Sequence, residues 1–384
     1  MQSKIRMGMI GGGQGAFIGG VHRMAAALDG QIELVCGAFS SDPERSRLSG
    51  LEMGLHPDRV YSTYEEMIAA ESKLPAEVQM NFVSIVTPNH LHFGPAKMAL
   101  VHGFHVVCDK PLAFDLAQAE ELVDLVESSG LLFALTHNYS GFPFVKLARG
   151  MIARGDLGAI RKVLVDYPQG WLSTRLEATD QKQASWRTDP ARSGAAGAIG
   201  DIGTHAENLV EYMTGLRISE VCADLTTFVP GRQLDDDGSV LLRFEGGARC
   251  MLHASQICVG EENDLNIRIY GELAGLDWHQ MEPNTLLVNY PDRSMHIYRT
   301  GVGSDLVPAA QRATRLPAGH PEGFLEAFAN IYRNFAECLR ARLTGVDTDE
   351  LAHDFPTVHD GLRGMHFIVR VVQSSQSEQK WRKM

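Results

Sequence analysis

The chain has 384 residues, of which 44% are hydrophobic and 21% are charged, a composition typical of a soluble globular protein with about two or three domains. Its net charge of −12 argues against a nucleic-acid backbone or an anionic membrane as the main partner. The cysteines form neither a C-x-x-C pair nor a disulfide framework, so we expect a reducing, cytoplasmic compartment. No run approaches the roughly 18 apolar residues of a membrane span, and the N-terminus lacks the pattern of a signal peptide.

The first third of the chain alternates short apolar strands with helical stretches. Strands are predicted at residues 5–11, 32–40, 82–88, 105–111 and 132–138. Helices are predicted at 15–30, 42–55, 90–103 and 115–130, the second with Pro43 in its first turn. Near-continuous apolar strands that alternate with helices indicate a parallel, doubly wound α/β sheet with helices on both faces.

The pattern changes after about residue 137. A predicted helix at 143–158 leads into longer strands at 160–169, 218–229, 239–256 and 263–278. Such strands indicate a mostly antiparallel sheet, and therefore a C-terminal α+β domain. We place the boundary between residues 1–137 and residues 138–384. A late helical stripe, which we interpret as core packing, contains Phe324, Phe328, Ile331, Phe335 and Leu339.

The stretch GGGQGAFIGG follows the first strand and opens the first helix. Gly11, Gly13 and Ala16 fit the pattern G-x-G-x-x-[GA], which in this context predicts dinucleotide binding. We expect Gly11 to allow the tight turn, Gly13 to let the backbone approach a pyrophosphate, and Ala16 to allow close packing of helix and strand. The N–H groups at the start of the helix would bind the anion.

The end of the second strand, GAFSSDPERS, is ambiguous. One interpretation is a helix cap formed by Ser41, Asp42, Pro43 and Glu44. The functional alternative is that Ser40 and Ser41 bind the adenosine ribose and that Arg45 tolerates a 2′-phosphate. This leaves both NAD and NADP open.

Two further strand ends carry polar residues. In VVCDKPLA, Lys110 follows an apolar strand and precedes Pro111. In TPNHLH, we expect Pro88 and Asn89 to lie against the cofactor, with His92 behind them. Ligands of doubly wound sheets bind beyond the carboxyl ends of the strands. The alternatives are a surface lysine and a turn with an Asx-type bond.

In GAIGDIGTHAENLVEYMTG, Asp201 and His205 are four residues apart, so both face one side of a helix that begins near Asp201. A helix cap with a structural histidine is the alternative. We find no convincing third ligand nearby and expect no metal. Together with Lys110, this pair suits alcohol oxidation: His205 takes the hydroxyl proton, the ammonium stabilises developing alkoxide charge, and the carboxylate orients the imidazole or substrate.

The ordered motifs GGGQGAFIG, TPNHLH, DKPLA and GDIGTH resemble those of the glucose–fructose oxidoreductase, inositol dehydrogenase and rhizopine-catabolism (Gfo/Idh/MocA) family over nearly the whole chain. The resemblance implies an N-terminal Rossmann domain and a C-terminal domain that binds substrate and forms a homo-oligomer, a tetramer or a dimer. It implies that His205 is the acid/base, assisted by Lys110 and Asp201. Asp109 replaces the family's usual glutamate, and Ser40 stands where many members carry an aspartate, so NADP remains an alternative to NAD.

The stretches THNYSGFPFVK and KQASWRTDPARSGAAG resemble a branch of dehydrogenases of cyclic polyols and pyranoses, including scyllo-inositol, L-glucose and levoglucosan. Polar side chains would hydrogen-bond the hydroxyls of the substrate ring, and aromatic side chains would pack on its C–H faces. The expected substrate-binding residues are Lys110, His137, Tyr139, Gln169, Trp186, Asp189, Asp201 and His205; Gln169 is a weaker candidate than the others, as is Gln256. The expected cofactor-binding residues are Gly11, Gly13, Gln14, Gly15, Ala16, Phe17, Ser40, Ser41, Arg45, Thr87, Pro88, Asn89, His92, Asp109, Lys110, Pro111, Asn138, Trp186 and Arg187.

These residues predict an NAD(P)-dependent dehydrogenase of a cyclic polyol or sugar. Two other functions stay open: a regulatory sensor that binds dinucleotide without turnover, and an oxidoreductase that holds its cofactor tightly and moves hydride between two sugars. A sensor need not retain Lys110, Asp201 and His205, and release of the cofactor on desalting would argue against the shuttle.

Overall fold

The computed structural model describes residues 3–302 and 306–384. The strands are β1 Ile5–Gly11, β2 Ile32–Ala38, β3 Phe82–Val86, β4 His105–Cys108, β5 Phe133–Leu135, β6 Ile160–Pro168, β7 Ile218–Thr226, β8 Asp237–Phe244, β9 Arg249–Ser255, β10 Asn266–Gly271, β11 Gly275–His279, β12 Thr285–Asn289, β13 His296–Arg299 and β14 Arg382–Lys383. The helices are α1 Phe17–Leu28, α2 Pro43–Glu52, α3 Tyr64–Glu71, α4 Phe93–Val101, α5 Leu116–Ser129, α6 Pro143–Ala153, α7 Lys182–Arg187, α8 Pro190–Ser193, α9 Thr204–Thr214, α10 Pro308–Ala313, α11 Phe324–Thr344 and α12 Val358–Ser375. In these two ranges, no helix is both long and apolar enough to cross a membrane.

The described residues divide into two compact units. The first combines Met1–Asn138 with Phe328–Leu362, and the second combines Tyr139–Ala327 with Arg363–Met384. Within the first unit, the Leu135 N–H donates to the Pro356 carbonyl at 2.8 Å, which ties the late segment to β5. The boundary predicted from the sequence puts residues 328–362 with the rest of the C-terminal domain.

The first unit contains the predicted parallel sheet. Over the part of the chain that is described, five strands run in the order β2-β1-β3-β4-β5, all parallel, and α1, α3 and α4 pack on them. The register aligns Gly11 with Val86, Ile85 with Cys108, and Cys108 with Leu135, so these strands end at one edge. This arrangement confirms the doubly wound fold class.

Strands β2 to β5 end two or three residues earlier than predicted, so the polar residues that follow them lie in loops. Helix α3 is not predicted from the sequence. Its N-cap Thr63 accepts a hydrogen bond from the Glu66 N–H at 3.2 Å, and Met67 and Ile68 are buried. Its apolar residues are too few to give a clear helical period.

The second unit contains a mixed, mostly antiparallel sheet, as predicted. Within the described ranges its order is β13-β12-β11-β10-β6-β9-β8-β7-β14, and the β6–β9 pair is parallel. Two long predicted strands were wrong in extent. Residues 239–256 form the hairpin β8–β9, turning at Gly246 and Gly247 with φ of 84° and 100°, and residues 263–278 form the hairpin β10–β11. Helix α9 packs on β6 and β9, which brings its N-terminal residues to this sheet.

Candidate active site

The glycine-rich loop connects β1 to α1, as predicted. Gly11 has φ of 83°, consistent with a tight turn. At Gly13 a Cβ would lie 2.8 Å from the Phe39 carbonyl oxygen, so its missing side chain allows contact with the loop after β2. The approach of its backbone to a pyrophosphate stays a prediction. Close packing of loop and helix depends on Gly12 and Gly19, because a Cβ on Gly19 would lie 2.3 Å from the Gly12 Cα. The part expected of Ala16 in the packing of helix and strand stays a prediction.

The remaining loop residues leave the start of α1 accessible. The Gln14 N–H donates to Ser49 Oγ at 3.1 Å, Gly15 is exposed, and the Phe17 side chain is 70% exposed. The first N–H groups of a helix lack partners within the helix and favour an anion. The glycine-rich loop and the start of α1 therefore fit the pyrophosphate of a dinucleotide.

The loop after β2 forms the helix cap that the sequence suggested. Asp42 accepts from the Arg45 N–H at 2.8 Å and Ser40 Oγ accepts from the Asp42 N–H at 3.1 Å. The Arg45 guanidinium donates to the Gln14 carbonyl at 3.1 Å, so it lies against the glycine-rich loop. Ser41 is exposed beside them. Their contact with a ribose remains a prediction.

His92 connects the loops that follow β3 and β4. Its Nδ1 lies 2.7 Å from the Pro111 carbonyl oxygen and its Nε2 lies 2.8 Å from the Thr87 carbonyl oxygen. The ring is buried, and burial lowers the pKa of His92. Pro88 is partly exposed and Asn89 is buried in the short turn before it. His92 thus holds two strand-end loops together, behind the residues predicted to face the cofactor.

Lys110 shares its strand edge with Asp109 and His137. Asp109 Oδ1 accepts from the Lys110 N–H and from the Thr136 hydroxyl, each at 2.9 Å. Burial, with a further contribution from the Lys110 charge, lowers the pKa of His137 to about 3, so this imidazole is neutral. Asn138 follows, with its side chain buried. A lysine ammonium therefore lies beside a neutral ring at the carboxyl ends of β4 and β5.

In the second unit, Asp201 and His205 lie on one continuous helical segment. Asp201 belongs to a π-helical turn, Ile199–Gly203, which runs directly into α9, and His205 lies in the first turn of α9. The Asp235 carboxylate holds the start of this turn by accepting from the N–H groups of Gly197 and Ile199 at 2.7 and 2.9 Å. π-turns of this kind are frequent at functional sites.

The Asp201 carboxylate accepts two hydrogen bonds at one oxygen. Arg187 Nε donates to Oδ2 at 3.1 Å, and Gln256 Nε2 donates to the same oxygen at 2.9 Å. The Arg187 guanidinium lies 4.3 Å from the centre of the Trp186 ring and 5.9 Å from that of Trp171. Asp201 is therefore bonded to a guanidinium flanked by two indoles.

Other predicted substrate residues have structural partners in the second unit. Asp189 caps α8 by accepting from the Ala191 N–H at 2.9 Å. Tyr139 is 4% exposed, and its hydroxyl is hydrogen-bonded to that of Tyr167. Its ring meets His205 edge to face, with centroids 4.9 Å apart. Tyr139 thus packs directly against the predicted acid/base.

Several members of this cluster are not predicted from the sequence. Tyr167 donates to Asn263 Oδ1 at 2.7 Å, Trp171 Nε1 donates to Gln169 Oε1 at 2.9 Å, and Gln183 accepts from Arg187 at 2.5 Å. Tyr167 looks like an ordinary core residue of a strand, and Asn263 and Trp171 lie in loops far apart in the chain. A single sequence contains no signal that pairs them.

Two family models match separate stretches of the chain. A family model described as an oxidoreductase family with an NAD-binding Rossmann fold matches residues 5–137, and one described as the GFO/IDH/MocA C-terminal domain matches residues 145–277.

Among solved structures, an inositol dehydrogenase homologue from Azotobacter vinelandii in complex with NAD⁺ is 35% identical, with a TM-score of 0.95 over 100% of this chain and 98% of that one. Its complex with NADH and myo-inositol is 34% identical, with a TM-score of 0.91 over the same shares. The levoglucosan dehydrogenase of Pseudarthrobacter phenanthrenivorans is 28% identical over 70% of this chain and 71% of its own length.

Proposed function

Since this chain belongs to the Gfo/Idh/MocA oxidoreductase family and contains its NAD-binding Rossmann fold, we propose that it oxidises a secondary hydroxyl of a cyclic polyol or pyranose sugar, with NAD as the hydride acceptor. The similarity to an inositol dehydrogenase homologue solved with myo-inositol, and to a levoglucosan dehydrogenase, supports this substrate class.

The observation that carries the proposal is the polar cluster of the second unit. An imidazole (His205) and a carboxylate (Asp201) occupy consecutive turns, beside a guanidinium and two indoles. A ring with several hydroxyls and C–H faces needs hydrogen-bonding groups and aromatic surfaces together. Histidine is also suited to remove a hydroxyl proton near neutral pH.

In the proposed reaction, His205 accepts the proton of the substrate hydroxyl and Asp201 holds a neighbouring hydroxyl or the imidazole. Lys110 stabilises negative charge as it develops on the substrate oxygen. Bound NAD supplies the acceptor for the hydride that leaves the same carbon. His137, whose pKa is lowered to about 3, adds no second positive charge beside Lys110.

Replacing His205 with Ala tests the role of the base. We expect kcat to fall about 10²–10⁴-fold, because proton removal would then depend on water. NADH formation is followed by absorbance with inositols, L-glucose, D-glucose and levoglucosan, and NADH affinity is measured by fluorescence as the control for an intact Rossmann unit. Unchanged turnover would refute the assignment of His205. Wild-type protein that binds NADH but is inactive on the whole panel would favour a sensor.

A further inference from the structure

Gln256 donates to two acceptors in the interior of the second unit. The residue is 3% exposed. Its Nε2 donates to Asp201 Oδ2 at 2.9 Å and to Gln169 Oε1 at 3.4 Å. A carboxylate oxygen only accepts, so the Asp201 end requires the amide nitrogen of Gln256 to face it.

The far end of the network requires the same orientation. An indole N–H only donates, and Trp171 Nε1 lies 2.9 Å from Gln169 Oε1, so the Gln169 oxygen faces Trp171 and Gln256. Gln169 Nε2 then donates to Asn263 Oδ1 at 2.6 Å. Two amide side chains thus have one consistent orientation, set independently at both ends.

We propose that Gln256 is a positioning residue that holds the Asp201 carboxylate in its working orientation, with Gln169 and Trp171 fixing the direction of the Gln256 amide. Gln256 does this as an uncharged donor, whereas Arg187 bonds the same oxygen as a cation. In this role Gln169 acts through Gln256, and its contact with substrate stays a prediction. The proposal rests on the proposed function, because the orientation of Asp201 affects turnover only in a catalysed reaction.

The test compares two replacements of nearly equal size. Gln256→Met removes the donor at every pH, and we expect kcat/KM to fall about 10- to 100-fold with little change in pH profile, as for the loss of a hydrogen bond to a charged group. Gln256→Glu places a second carboxyl against Asp201. Two carboxylates this close resist joint ionisation, so the pair takes up one proton as pH falls. The protonated carboxyl then donates a hydrogen bond to the other, as the Gln256 amide does in wild type.

We therefore expect the activity of Gln256→Glu relative to wild type to recover as pH is lowered from about 9 to about 6, whereas that of Gln256→Met does not. The ionisable groups around Asp201 are Arg187, Tyr139, Tyr167 and His205. Burial raises the pKa of both tyrosines, so they keep one state over this range. Gln256→Met adds no charge near His205, so its ratio to wild type is the reference against which the ratio for Gln256→Glu is compared.

Gln311→Glu is the matched control, because Gln311 lies in the same unit and its amide donates to the Leu306 carbonyl at 2.8 Å. It should leave the pH profile unchanged. Equal activity of Gln256→Met and wild type would overturn the positioning role. If wild type itself proves inactive, the proposed function fails alone, and crystal structures decide the positioning: a rotated or disordered Asp201 carboxylate in Gln256→Met supports it, and an unchanged one overturns it.

Discussion

The buried carboxylate of Glu71 should contribute strongly to the stability of the Rossmann unit. Its side chain is fully buried at the end of α3. Arg59 donates to both oxygens at 2.7 Å, and the Tyr61 hydroxyl and the Met80 N–H donate at 3.0 and 2.9 Å. Each oxygen of the carboxylate therefore accepts two of these hydrogen bonds. Glu71→Ala would leave a guanidinium that is only 17% exposed, and a buried N–H, without their acceptor.

Breaking one side of a buried ion pair costs about 3–5 kcal/mol, because the remaining charge stays desolvated. For a unit of roughly 150–250 residues, each kcal/mol lowers Tm by about 2–4 °C, so we expect a decrease of about 6–20 °C. Differential scanning calorimetry measures this directly, and urea unfolding gives the free energy at one temperature.

Glu44→Ala is the matched control. Glu44 forms the same two-pronged contact with Arg47, at 2.7 and 2.8 Å, but on the surface, where water screens the charges. Its Tm should not change measurably. If Glu71→Ala melts no lower than Glu44→Ala, then burial does not set the strength of these pairs and the reasoning fails.

Two histidines should give opposite pH dependences of stability. Burial, followed by the Arg342 charge, lowers the pKa of His105 to about 4, so the folded state loses stability as pH falls from 6.5 towards 4. His105→Asn retains an acceptor for the Leu132 N–H and should shift the acid unfolding transition, followed by circular dichroism, to lower pH. An unshifted transition would contradict this. Hydrogen bonds to Asp166 and Asp237 raise the pKa of His253 to about 10, so its stabilisation is present below pH 6.5 and lost as pH rises through 10. The difference in urea midpoint between wild type and His253→Ala should shrink over that window, and a constant difference would count against the ion cluster.

The first half of the fold could be predicted closely from sequence. The strand IRMGMIG coincides with β1, because an apolar run buried on both faces, followed by glycines, has few other structural solutions. The confirmed parallel sheet and family assignment follow from motifs at successive strand ends. The ends of the longer strands were harder to predict. Residues 239–256 have a composition typical of a strand throughout, including the turn that depends on Gly246 and Gly247.

What the sequence by itself determined was local: the apolar periods, the glycine-rich loop, the polar residues at strand ends, and the spacing of Asp201 and His205. What only the tertiary structure decided was which distant side chains meet. Gln256, Gln169, Trp171 and Asn263 form one network, and residues 328–362 join the first unit. The physical reason is that hydrogen-bond partners across a sheet are set by strand order and register, and these depend on burial of the whole chain.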